Sequence, residues 1–134
     1  MRTQKKIAVE VLELANEFTG WNFGIAQNGS TYFVGTTLHN QKGQAMTIYY
    51  LIGEEEAQLT VFSQNCKYND CNVNERIQAI PLEYPVYVVG MGKNILSINS
   101  PMPIEVLNNH MGTIVLKRMV DMVQAMTDII NSCG

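Results

Sequence analysis

A chain of 134 residues with 46% hydrophobic and 16% charged residues has the length for one core and enough apolar mass to offset ordering entropy, which excludes wholesale disorder and predicts a single domain over 1–134. The net charge is −3, and apart from Lys5-Lys6 and Lys117-Arg118 the basic residues are scattered, so the clustered cations that a duplex demands are missing and no nucleic-acid partner is expected. Polarity comes instead from 13 Asn and 8 Gln, an uncharged and heat-labile choice that argues against a hyperthermophilic source.

The first pattern is helical. Ile7, Val11, Leu14, Ala15 and Phe18 share one stripe over residues 4 to 18, while Lys6, Glu10, Glu13 and Glu17 take the other side. Thr3 is placed to cap the start and Gly20 to end the helix in a left-handed conformation, with Trp21 opening the next element. The same glutamates interrupt what would otherwise resemble the apolar run of a signal peptide. No window reaches the roughly 18 apolar residues of a membrane span. A cytoplasmic protein without a membrane span is therefore expected.

β-Branched and aromatic residues then dominate. "STYFVGTTL" and "AMTIYYLI" read as strands, "AQLTVFS" as another ending near Ser63, and turn signals stand at Asn28-Gly29, at 40 to 43 and at 53 to 56. Connections this short favour antiparallel pairing, so residues 21 to 64 are expected to form a four-stranded meander. Asn72 followed by Glu75 has the spacing of a capping box for a short helix through Ala79 or Ile80, closed by Pro81 and Pro85. "VYVVGMGKNILSIN" predicts a second hairpin at 86 to 99. "SPMPIEVLNNHMG" reads as a loop with one helical turn, interrupted by Gly112. The last element is a long helix carrying Val115, Leu116, Met119, Met122, Val123, Met126, Ile129 and Ile130 on one broad face, with Lys117, Asp121, Gln124, Asp128 and Asn131 opposite. The fold class is α+β: an antiparallel sheet, a four-strand meander plus a C-terminal hairpin, packed by N- and C-terminal helices.

Few residues carry an expectation of chemistry. Cys66 and Cys71 have four residues between them and are far from His39 and His110, a poor match to zinc spacings, and the odd total of three cysteines fits reduced thiols. No metal, cofactor or thiol catalysis is expected. "VGMGKN", with Gly90, Gly92 and Lys93, lacks the full phosphate-loop pattern and joins two strands. Glu54, Glu55 and Glu56 sit at a turn as solvated charges. Met-rich helical faces adapt to several partners, so Met119, Met122 and Met126 are the candidate partner-binding residues, filling the core along one edge and meeting a second subunit along the other.

"VLELANEFTGWNFGIAQNGSTYFV", "MTIYYLIGEEEAQLTVFS" and "PVYVVGMGKNILSINSPMP" leading into "MVDMVQAMTDII" together resemble the YbjN family of the type III secretion chaperone-like superfamily. The resemblance spans nearly the whole chain, except that the middle helix of such proteins is longer than residues 72 to 80 allow. It implies a secretion chaperone-like fold, no enzymatic activity, and a chaperone-like adaptor or regulator that binds a protein partner and forms a homodimer. Two rival readings are a small-ligand binder or enzyme with a cavity between sheet and helices, walled by Trp21, Tyr32, Tyr49 or Tyr50, and a structural component of a larger assembly.

Overall fold

The computed structural model describes residues 3–39, 43–64, 87–90 and 95–133. Helix α1 spans Gln4–Thr19. It begins as expected, with the Thr3 hydroxyl accepting a hydrogen bond from the Lys6 N–H (3.3 Å), and it ends at Gly20 (φ 70°), whose N–H bonds back to the Asn16 carbonyl. Asn16 also reaches forward, its Oδ1 accepting from the Phe23 N–H and its Nδ2 donating to the Phe23 carbonyl (3.1 Å). This side chain holds the last turn of α1 against the entry to the sheet. The buried face is Ile7, Ala8, Val11 and Ala15. Phe18 departs from the expected stripe: it has the right helical phase but is 54% exposed.

Strands β1 (Gly24–Asn28), β2 (Thr31–His39), β3 (Ala45–Ile52) and β4 (Glu56–Gln64) form the predicted antiparallel meander. Gly29, at φ 63°, supplies the turn between β1 and β2. Strands β5 (Tyr87–Gly90) and β6 (Ile95–Pro103) complete a six-stranded sheet in the order β1-β2-β3-β4-β6-β5. The predicted short helix at 72 to 80 lies outside the described residues.

One correction concerns the segment read as a loop after residue 99. β6 continues through Pro101 to Pro103, paired with Gln58 and Glu56 of β4. Among the described residues these prolines have β4 alone as a strand neighbour, the pairing with β5 being described as far as Tyr87 opposite Asn99; a proline is tolerated where no neighbouring strand needs its missing N–H. Helix α2 (Ile104–Asn109) follows directly. A helix continuous from residue 104 does not form, as Gly112 suggested, but the interruption falls at His110, where α2 ends, and not at the glycine. A short α3 (Met111–Thr113) runs into a π-helical turn (Ile114–Arg118) and then α4 (Met119–Cys133). Arg118, at the end of the π turn, is buried, as are Ile114 and Val115.

Strand alternation sorts the sheet into two faces. Val34, Ile48, Tyr50, Ile52, Leu59, Val61, Leu96 and Ile98 point to one side and form a single buried cluster with Val11, Ala15, Met119, Met122, Met126 and Ile129 of the helices. Within it, the Tyr50 and Ser100 hydroxyls have no hydrogen-bond partner among the described residues. They sit on one cross-strand row, with Leu59 between them. Burial holds the Tyr50 phenol well above its ordinary range, so only its neutral form fits. Stability from this group is complete below the ordinary phenol pKa of about 10 and is lost as pH rises toward the raised folded value. An unpaired buried hydroxyl costs about 1–3 kcal/mol. Tyr50→Phe is expected to raise stability by about 1 kcal/mol in urea unfolding and to delay alkaline unfolding; a clear loss of stability would mean that the hydroxyl is bonded.

Candidate functional site

The sheet's other face carries the most distinctive surface among the described residues. Register places Gly24, Gly35, Tyr49, Thr60 and Asn99 in one row across five strands, from β1 through β6. Phe33, Tyr49 and Phe62 zigzag over the neighbouring rows. Ring centroids are 6.3 Å apart for Phe33–Tyr49 and 6.3 Å for Tyr49–Phe62, the latter edge to face. Both geometries are favourable for aromatic contacts.

Beside this zigzag the row is empty of side chains. Gly24 and Gly35 face each other on β1 and β2, and with Ala26, Phe33 and Tyr49 they bound an open depression of about 550 Å³. Gly35 is required by close packing: a Cβ there would lie 2.9 Å from the Ile48 carbonyl oxygen and 2.9 Å from the Tyr49 Cβ. At Gly24 a Cβ would meet nothing within 4 Å. The lining carries no charge, so the depression suits an apolar group.

Toward β6 the same row turns polar. Asn99 Oδ1 accepts hydrogen bonds from Thr60 Oγ1 (2.8 Å), Gln58 Nε2 (3.0 Å) and Ser97 Oγ (3.3 Å). Thr60 and Ser97 are buried, so this network satisfies groups that would otherwise be costly. It rigidifies the sheet under the aromatic zigzag.

Apart from Tyr49, the residues singled out from sequence lie elsewhere. Met119, Met122 and Met126 are all at 0% exposure: they fill the chain's own core, and none offers a second edge to a partner. Val120, at 36%, is the large apolar residue of α4 that does reach the surface. Trp21, Tyr32, Tyr49 and Tyr50 do not wall one cavity, because Tyr49 and Tyr50 point to opposite faces of β3. His39 and His110 are exposed, on β2 and between α2 and α3. Among the described residues no three His, Cys, Asp or Glu side chains gather as a metal site. Cys66, Cys71 and Lys93 lie outside those residues.

Two other depressions lie among the described residues. One, of about 170 Å³, lies between Leu38 and Met46 of the sheet and Thr127 and Ile130 of α4. The other, of about 590 Å³, is rimmed by Glu54, Glu55, Glu56 and Glu105. Its carboxylates are solvated, as the sequence suggested for the first three.

The glycine notch was missed from sequence. Its signal was present as two glycines and an aromatic, but only strand register brings residues 24, 35 and 49 into line. No described helix is long and apolar enough to cross a membrane. Comparisons with models of known families, with curated proteins and with solved structures found no match to this chain.

Proposed function

We propose that the chain is a noncatalytic protein-binding domain, acting as a chaperone-like adaptor or regulator in the cytoplasm. The observation that supports this reading is the apolar depression beside Phe33 and Tyr49, which opens directly onto the edge strand β1. The resemblance to the YbjN family and secretion chaperone-like proteins implies the order helix, meander, helix, hairpin and final helix, of which the first helix, meander, hairpin and final helix lie among the described residues, and the proposal includes that kinship and a homodimeric state.

Affinity capture from the native cell, run in parallel with wild type and Phe33→Thr, tests it. Phe33 is half-buried on the outward face, and threonine retains strand propensity. A protein partner bound by wild type and reduced at least tenfold by the variant, with circular dichroism unchanged, is the expected result. Capture indifferent to Phe33 would move the binding surface elsewhere.

The depression also falls within the volume range of small-molecule sites, about 300–1,000 Å³. This supports a second reading, a small-ligand binder. A metabolite-library thermal-shift screen that stabilises wild type but not Phe33→Thr would favour it over the first.

A further inference from the structure

We infer that β1 is a receptor for one extended, uncharged polypeptide segment, which adds to the sheet edge as a seventh strand and lays a bulky apolar side chain across Gly24 and Gly35 toward Tyr49. This rests on the protein-binding reading above and specifies its mode.

β1 is the terminal strand of the sheet, and all five of its residues are exposed. An edge strand presents a row of main-chain N–H and C=O groups whose natural complement is another extended backbone. Edges are commonly guarded by lysine, proline, a bulge or an inward charge. The sequence of β1, GIAQN, contains no charge and no proline, and its register with β2 is continuous from Gly24↔Gly35 to Asn28↔Thr31. Shortness is its one guard.

Register also places the anchor. A peptide residue paired with Gly24 would continue the row Gly24–Gly35–Tyr49 and project to the same outward face. With strands about 4.8 Å apart, two successive glycines leave roughly 10 Å of sheet bare of side chains. A phenylalanine, tryptophan, leucine or methionine lying there covers both glycines and approaches the Tyr49 ring. Aromatic coverage of a sheet glycine is a known stabilising device. A charged residue at that position would lose water without gaining a partner, because the depression is lined by uncharged residues.

The area argues against a second copy of β1 as the occupant. Two five-residue strands meet along only about 17 Å, a ribbon well short of the roughly 800 Å² per partner of a stable interface. A peptide with a side chain seated in the depression gains contact that β1 itself cannot supply, since its own residue in this row is Gly24.

The test pans a random linear dodecapeptide library on the full chain and measures the selected, synthesised peptides by fluorescence polarisation. Wild type, Gly24→Ala and Gly24→Val are compared. The added Cβ meets nothing within 4 Å, and circular dichroism checks each fold. The expected result is a set of peptides with an uncharged core and one large apolar anchor, weakened progressively by Ala and then Val, at least tenfold for Val. N-methylation of alternate peptide residues should weaken binding at least tenfold in one phase and far less in the other, because only one set of N–H groups faces β1.

Peptides that bind all three proteins equally would overturn strand addition at this edge while leaving a protein-binding role intact. Failure to select any peptide, with Phe33-dependent capture still yielding a partner, would overturn it in the same way. Self-association lost on Gly24→Val, without peptide selection, would overturn it in favour of a second copy. A blank in both the panning and the capture would remove the inference and the protein-binding reading together.

Discussion

Met122→Glu is expected to abolish the native fold at 25 °C. Met122 is at 0% exposure in the middle of the cluster formed by α1, α4 and the sheet. Removing a buried methionine side chain costs about 2–5 kcal/mol, and an unpaired buried carboxylate adds several more, even after it neutralises by taking up a proton. Whole domains are stable by only about 5–15 kcal/mol. Two positions earlier on the same helix, Val120→Glu should change stability by no more than about 0.5 kcal/mol, because Val120 reaches solvent. Circular dichroism and urea unfolding of the two variants check the contrast. A folded Met122→Glu with the parent's midpoint would mean that the methionine face is not core. Any loss of partner binding in that variant would follow from unfolding, which makes Val120 the better probe of the α4 surface.

Gly35→Ala is expected to destabilise the protein by about 1–3 kcal/mol, the usual cost of forcing extra volume into a packed site. The new methyl would sit 2.9 Å from both the Ile48 carbonyl oxygen and the Tyr49 Cβ. The first belongs to the backbone of the adjacent strand and the second is fixed by that backbone, so relief requires β2 and β3 to separate locally. Gly24→Ala, on the open edge, meets no neighbour and should be neutral or stabilising by about 0.4–1 kcal/mol through the unfolded chain's lost freedom. Thermal melts of the pair decide the matter: equal midpoints would show that Gly35 is not held by close packing.

This pair also marks how far the candidate site could be read in advance. Phe33 and Tyr49 were legible as strand residues, and Tyr49 as a possible wall, yet neither the pairing of Gly24 with Gly35 nor the hydrogen-bond donors converging on Asn99 follows from local pattern. Thr60, Ser97 and Asn99 come from strands separated by 39 residues along the Thr60–Asn99 bond. Local propensity carries no information about which distant polar residues will share a row. The methionines show the opposite limit: their helical phase was plain, but phase gives direction around an axis and says nothing of how much lies over that face.

Determined by sequence alone were α1, the four-stranded meander and the final helix. Thr3 and Gly20 close α1, and the glycine and asparagine turns space the meander. Tertiary structure alone decided three matters. It set the strand order, which inserts β6 between β4 and β5; it carried β6 through two prolines paired with β4; and it left Phe18 outside while drawing Arg118 in. Each depends on what another part of the chain covers, a long-range packing outcome that neither periodicity nor propensity contains.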